Sequence, residues 1–313
     1  MEAPAGDRLS HQLVVGGDEP AFGELYDRYS PRIFALALRV TGDRMAAGDI
    51  TQEVFLVLWE RPLSYDPERG PLRLWLGALA HARALADVRD PGGSRDDRDA
   101  CDVLSGGRPA VPDLSYLDAF MTEPAVPEGS LRPQLLAGAR ARRRPAAPTA
   151  GWAEPYAGRV AALDALLACA VEADWQRSVA AGPALREVVA GLASVDGLVA
   201  ASVGAPVLGP ALGATSSAGR TAEVWEYERR RSPEQTRRDW RAQADALCRH
   251  LAALNPAARV TVDGQERTLG DHMLARALDT WNRSVAAATA AGLRLPAPLP
   301  AHERAMAAFT GRV

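Results

Sequence analysis

The 313-residue chain contains no lysine, so all 36 of its basic side chains are arginine. Together with the abundance of alanine, this bias points to a GC-rich coding sequence rather than to a physical need. Cysteine is scarce. Cys101, Cys169 and Cys248 are widely spaced with no CxxC pair, which excludes a disulfide framework and a thiolate metal knot; Cys169 and Cys248 read as core residues. No apolar run approaches the length of a membrane span, and the start MEAPAGDRLS lacks the basic opening and apolar stretch of a secretory signal. A cytoplasmic protein with no membrane partner is expected. The five histidines, His11, His81, His250, His272 and His302, show no HxxxH or HExxH spacing, and there is neither a glycine-rich phosphate loop nor a GxSxG turn. No catalytic constellation, metal or cofactor is therefore expected.

What is present is ordinary globular composition, 47% hydrophobic and 24% charged with a net charge of -3, in a chain long enough for two domains. Helical periodicity dominates, and the fold class is all-α. Residues 1–93 form a first block. Phe22, Leu25, Tyr29, Ile33, Leu36 and Val40 line one face of a helix over 20–40 that stops at Thr41-Gly42, and Asp43 caps a second helix that must end before Pro62. A third helix spans 72–89, with Leu72, Trp75, Leu76 and Leu79 at core spacing. The second helix raises a question, because DITQEVFLVLWERP, residues 49–62, is apolar on too many sides. Ile50, Val54, Val57 and Leu58 make one stripe, while Phe55 and Trp59 lie round the cylinder among Gln52, Glu53 and Glu60. On the residues alone, Phe55 and Trp59 would pack against the first and third helices.

Residues 94–154 change character, being rich in proline, glycine and charge, and read as a linker with short helices near 114–121 and 131–142. Its segment LRPQLLAGARARRR, 131–144, has five arginines and no acid. It could touch nucleic acid or an acidic partner, or be a solvated basic linker. Residues 155–313 read as a four-helix bundle with helices over 156–174, 184–203, one opening at Ser232-Pro233 and one capped by Thr268 and Asp271. The third carries Trp240, Ala244, Leu247, Leu251 and Leu254 as its core stripe, and the fourth Leu274, Leu278, Trp281 and Val285. A small hairpin, RVTVDGQERT, turns at Asp263-Gly264, a glycine-rich loop reaches Thr221, and a short helix covers about 301–309.

The stretch GDEPAFGELYDRYSPRIFALALRVTGDRMAAGDITQEVFLVLWER, followed by YDPERGPLRLWLGALAHARAL, resembles region 2 of the extracytoplasmic-function sigma factors of bacterial RNA polymerase. The resemblance implies that the second helix docks on the clamp helices of the largest subunit of the polymerase core, through Asp49, Gln52, Glu53, Phe55, Leu58 and Trp59, an apolar patch rimmed by acids and suited to an arginine-rich surface. It also implies promoter contact through the third helix and the loop before it. There Arg73, Arg83 and Arg89 are the phosphate ligands, but Ala82 and Ala86 stand where members of the family commonly carry base-reading polar groups. No region 4 helix-turn-helix pattern follows residue 93.

Residues 155–313 resemble the DinB-like, mycothiol-dependent maleylpyruvate isomerase family, on ALREVVAGLASVDGLVA, SPEQTRRDWRAQADALCRHLAAL and TLGDHMLARALDTWNRSVAAA. That family implies a divalent metal held by two histidines and a glutamate. Their positions here are Gly191, Arg283 and Asp279, which makes the site degenerate: glycine has no ligand, and a guanidinium has no lone pair to give. Asp279 and Arg283, four apart, are expected to pair with each other. The sequence thus reads as a non-enzymatic, transcription-related protein with a metal-free ligand- or partner-binding bundle. The alternatives are a mycothiol-dependent transferase or isomerase, and a decoy or anti-sigma-like regulator.

Overall fold

The computed structural model describes residues 5–90, 131–180 and 182–311. The expected helix near 114–121 and Cys101 lie outside them. Among the described residues the fold is all-α apart from one two-stranded hairpin, and the chain divides into two compact units, Met1–Pro145 and Ala146–Val313. No helix among the described residues is long and apolar enough to cross a membrane.

In the first unit, α1 (Ala5–Val15) precedes α2 (Glu19–Thr41), α3 (Arg44–Glu60) and α4 (Leu72–Arg89), and α5 (Arg132–Arg142) returns to join them. The helix ends follow local chemistry. The Asp18 carboxylate accepts from the Ala21 N–H at 2.9 Å to start α2, with Pro20 in its first turn. Gly42, at φ 69°, closes that helix in the left-handed region, which a side chain would resist, and its N–H bonds to the Leu38 carbonyl. Asp43 then caps α3 through the Met45 N–H at 2.7 Å. Phe22, Leu25, Ile33 and Leu36 of α2, Ile50, Val54 and Val57 of α3, and Leu72, Leu76 and Leu79 of α4 form a single apolar core.

Helix α1 is not evident from periodicity because polar groups occupy its buried side. Asp7 accepts a 2.6 Å hydrogen bond from the Tyr29 hydroxyl, and His11 Nε2 lies 2.8 Å from the Pro62 carbonyl. Residues 131–145, expected within the linker, belong to the first unit, where Leu135 and Ala139 are fully buried.

The second unit is built on α6 (Glu154–Cys169), α7 (Leu185–Ser202), α9 (Pro233–Leu251) and α10 (Leu269–Ala291), with α8 (Ser217–Glu228) against α7 and α11 (Pro300–Thr310) against α6 and α10. The Ser232–Gln235 capping box opens α9, with bonds of 3.2 and 2.8 Å. Strands β1 (Arg259–Val262) and β2 (Gln265–Thr268) pair antiparallel, Val262 opposite Gln265, around Asp263-Gly264, and Thr268 caps α10. The helix expected over 156–174 stops at Cys169, which is only half-buried, and a separate turn covers Glu172–Trp175. Helix α8 lies where a loop was expected. The loop before it is held by buried groups, Gln243 donating to the Pro206 carbonyl and Arg220 to those of Pro210 and Ala211.

The expected core stripe of α10 is displaced. Val285 is 39% exposed, and Leu274, Leu278 and Trp281 are only half-buried. The buried face is instead Met273, Arg276, Ala277, Thr280, Ser284 and Ala287. Small residues let α10 pack closely on α6, and Arg276 turns inward because an acid awaits it there.

Candidate functional site

Helix α3 is buried on nearly every side, and its surplus apolar surface has two covers. The first is α2: Phe55 meets Tyr26 edge-on with ring centroids 5.0 Å apart, and Trp59 lies 5.0 Å from Phe22. Phe55, Leu58 and Trp59 are each at most 1% exposed, so they form core in this structure rather than an open apolar patch. The second cover is α5. A Cβ added to Gly138 would lie 3.3 Å from a Leu56 methyl, so only glycine permits this approach of the two helices without displacing Leu56.

The polar members of the expected face are half-buried, apart from Asp49, which is exposed, and they are engaged. Glu53 receives both Arg142 guanidinium nitrogens at 2.7 and 2.8 Å, and Glu60 lies 3.5 Å from the same group. Gln52 donates a side-chain N–H to the Gln134 side-chain oxygen at 3.2 Å. Asp49, with Met45 and Gly48, lines a groove whose other wall is Leu131 and Gln134. Two further pairs join α5 to α2, Arg140 with Glu19 and Arg132 with Asp27. At the end of α5 the buried Arg143 donates to the carbonyls of Trp59, Val14 and Val15 and stacks over the Trp59 ring, while Trp59 Nε1 donates to the Arg143 carbonyl at 2.8 Å. Leu56 and Arg143 were not foreseen as members of this face. The signal was the acid-free arginine tract itself, whose complement lies about 80 to 90 positions away along the chain.

On α4, Arg83 is buried, Arg73 is half-buried and Arg89 is exposed, while Ala82 is half-buried and Ala86 exposed. The loop before it is braced by Tyr65, whose hydroxyl donates to the Gly70 carbonyl at 2.9 Å. Burial holds His11 neutral, lowering its pKa to about 4 against the opposing pull of the Pro62 carbonyl.

The segment from within α2 to the end of α4, with its acid-rimmed central helix, is the one that known families recognise. Residues 25–92 match Sigma-70 region 2. Among curated proteins, the ECF RNA polymerase sigma factor SigK of Mycobacterium tuberculosis is 33% identical over 116 residues, 34% of this chain and 62% of the relative. SigK of Mycobacterium bovis matches to the same extent, and SigK of Mycobacterium sp. strain KMS is 40% identical over 76 residues, 24% of this chain and 39% of that protein. The chain thus spans about three fifths, or less, of the length of these sigma factors. No solved structure matches it.

In the second unit, the three positions that the resemblance assigns to metal ligands are placed as follows. Gly191 leaves open space where a side chain would stand. Asp279 is shared by two guanidinium groups, Arg276 at 2.6 Å and Arg283 at 2.8 Å. Arg276 continues inward to the fully buried Asp196 at 2.9 Å, which also accepts from Trp240 Nε1 at 3.3 Å. Burial works against the Arg276 charge, but Asp196 outweighs it and raises the pKa, so this arginine stays protonated between Asp196 and Asp279. Among the described residues, no group of three or more His, Cys, Asp or Glu side chains is arranged to hold a metal. His250 and His272 bond to separate backbone carbonyls, those of Val203 and Val260.

Proposed function

We propose that the chain is a transcription regulator that docks on bacterial RNA polymerase core through the α3 face of Asp49, Gln52 and Glu53, which the buried Phe55, Leu58 and Trp59 support from beneath, with the clamp helices of the largest subunit as target. The observation that carries this reading is the match of residues 25–92, which spans all of α3 and α4, to Sigma-70 region 2. Promoter DNA is a weaker partner, served by Arg73, Arg83 and Arg89. Arg83 is buried, and Ala82 and Ala86 have no donor or acceptor for a base edge. In the same reading the second unit is a metal-free DinB-like bundle that binds a ligand or a regulatory partner. Its position for a metal-binding carboxylate, Asp279, is committed to two arginines.

The test is direct. Purified full-length protein and polymerase core are mixed and run through size exclusion; co-elution that a charge reversal at Asp49, an exposed member of the face, weakens supports the reading. Absence of any complex at micromolar concentration, for the parent chain and also for a variant with α5 loosened by L135D/A139D, overturns it.

A further inference from the structure

We infer that α5 is a built-in mask: the arginine-bearing segment 131–143 occupies the α3 face that polymerase core would take, and core can dock only when α5 leaves. This rests on the docking reading above. Three observations carry it. First, α5 lies on that very face. Gln52, Glu53 and Trp59 all hydrogen-bond to residues 134–143, and Asp49 lines a groove closed by Leu131 and Gln134.

Second, the chemistry of α5 is what an acid-rimmed α3 would ask of any partner. Arg142 forks onto Glu53 and reaches Glu60, and Arg140 forks onto Glu19. A partner surface presenting arginines to Glu53 would compete with Arg142 for the same two oxygens. Two ligands of one site exclude each other.

Third, α5 is attached in the manner of a removable cover. Within α5 only Leu135 and Ala139 are fully buried, although Arg143 just beyond its end is buried as well, and the pair of Arg140 with Glu19 lies where the Arg140 side chain is 62% exposed and solvent screens the attraction. Most of the apolar core comes from α2, α3 and α4, and α5 adds Leu135 and Ala139 at its edge.

A masked face lowers apparent affinity by the fraction of molecules in which it is open. The experiment therefore changes α5 and leaves α3 intact, in the full chain. Binding to immobilised polymerase core is measured for the parent, for L135D/A139D, which removes the apolar contact of α5, and for R142E, which sets like charges against each other at Glu53. Arg143 is kept. Hydrogen exchange reports, in each variant, that α2 to α4 remain protected while 132–142 exchange faster. The expected result is a Kd at least ten-fold lower for L135D/A139D and about three-fold lower for R142E. If the double variant does not fold, R142E carries the test alone. Equal, tight binding by parent and variants overturns the mask while leaving the docking reading intact. No binding by any of them, with α2 to α4 protected, overturns both.

Discussion

The two units bury helices with opposite uses of charge. In the first, the shared core of α2, α3 and α4 is aromatic and aliphatic, buried Asp7 and Arg143 bond to a hydroxyl and to backbone carbonyls at its edge, and the acids of α3 stand nearer the rim, where α5 meets them with arginines. In the second, whole charges lie inside: Asp196 with Arg276, and Asp164 with Arg241, all at most 5% exposed, and Arg241 also holds Asp245 at 2.8 Å. A rim charge can exchange one partner for another at little cost, because water screens it in between. A buried charge cannot, because leaving it alone even briefly is expensive. The first arrangement suits an interaction surface and the second fixes a bundle.

The sharpest way to break this contrast is to remove one acid from each unit. Asp196→Ala leaves the buried Arg276 with Asp279 as its remaining acid and takes the acceptor from Trp240 Nε1, and is expected to cost about 3 kcal/mol, whereas Glu53→Gln should cost less than about 1 kcal/mol. Urea unfolding of the full chain, with hydrogen exchange to assign each loss to its unit, checks both values. Comparable losses would erase the distinction between rim and core.

A middle-sized effect comes from a neutral polar group of the first unit. The folded pKa of His11 is lowered to about 4 from the usual 6.5, so the unfolded chain takes up the proton first. The stability it confers is complete above pH 6.5 and is lost as pH falls from 6.5 towards 4, reaching about 2 kcal/mol by pH 5. His272 and His302 of the second unit are shifted in the same direction, both first by burial, so the informative quantity is the difference between the parent and His11→Gln in protection of α1 and α3. A variant whose pH slope matches that of the parent would rule His11 out as the cause.

The smallest effect is none at all. With Asp279 bound by two arginines, prolonged chelation should leave the thermal midpoint of the second unit where it was, whereas loss of a structural ion would lower it. Stoichiometric zinc, nickel or iron retained through dialysis would reverse this expectation and return the bundle to the metalloenzyme reading.

What could be read from sequence divides along the same line. The ends of α2, α3 and α4 were legible because caps and breakers act locally: Asp43, Gly42 and Pro62 each state their effect within a few residues. The partners of Asp279 were half legible, since Arg283 is one turn away, but the inward course of Arg276 was not, because Asp196 is 80 positions distant and only the fold brings them together. The same holds for α10, whose leucines advertise a core face that the small residues and Arg276 take instead. Helix α1 went unread because Asp7 and His11 occupy positions where periodicity looks for apolar residues. The site divides in this way too. The acids of α3 and the arginines of 131–144 were both visible, but nothing local says that one set answers the other.

Arg143 gives the first unit an unusual dependence on time. Its guanidinium gathers carbonyls at the ends of both α1 and α3, and the ring of Trp59 lies beneath it. Domains of a nascent chain fold largely in the order in which they leave the ribosome, and this residue emerges about fifty positions after the last one matched to Sigma-70 region 2. Until then two helix ends face water and Trp59 lacks its acceptor. Arg143 therefore ties the last-made helix of the unit to its first, and the unit is complete only once the chain has been built through residue 143.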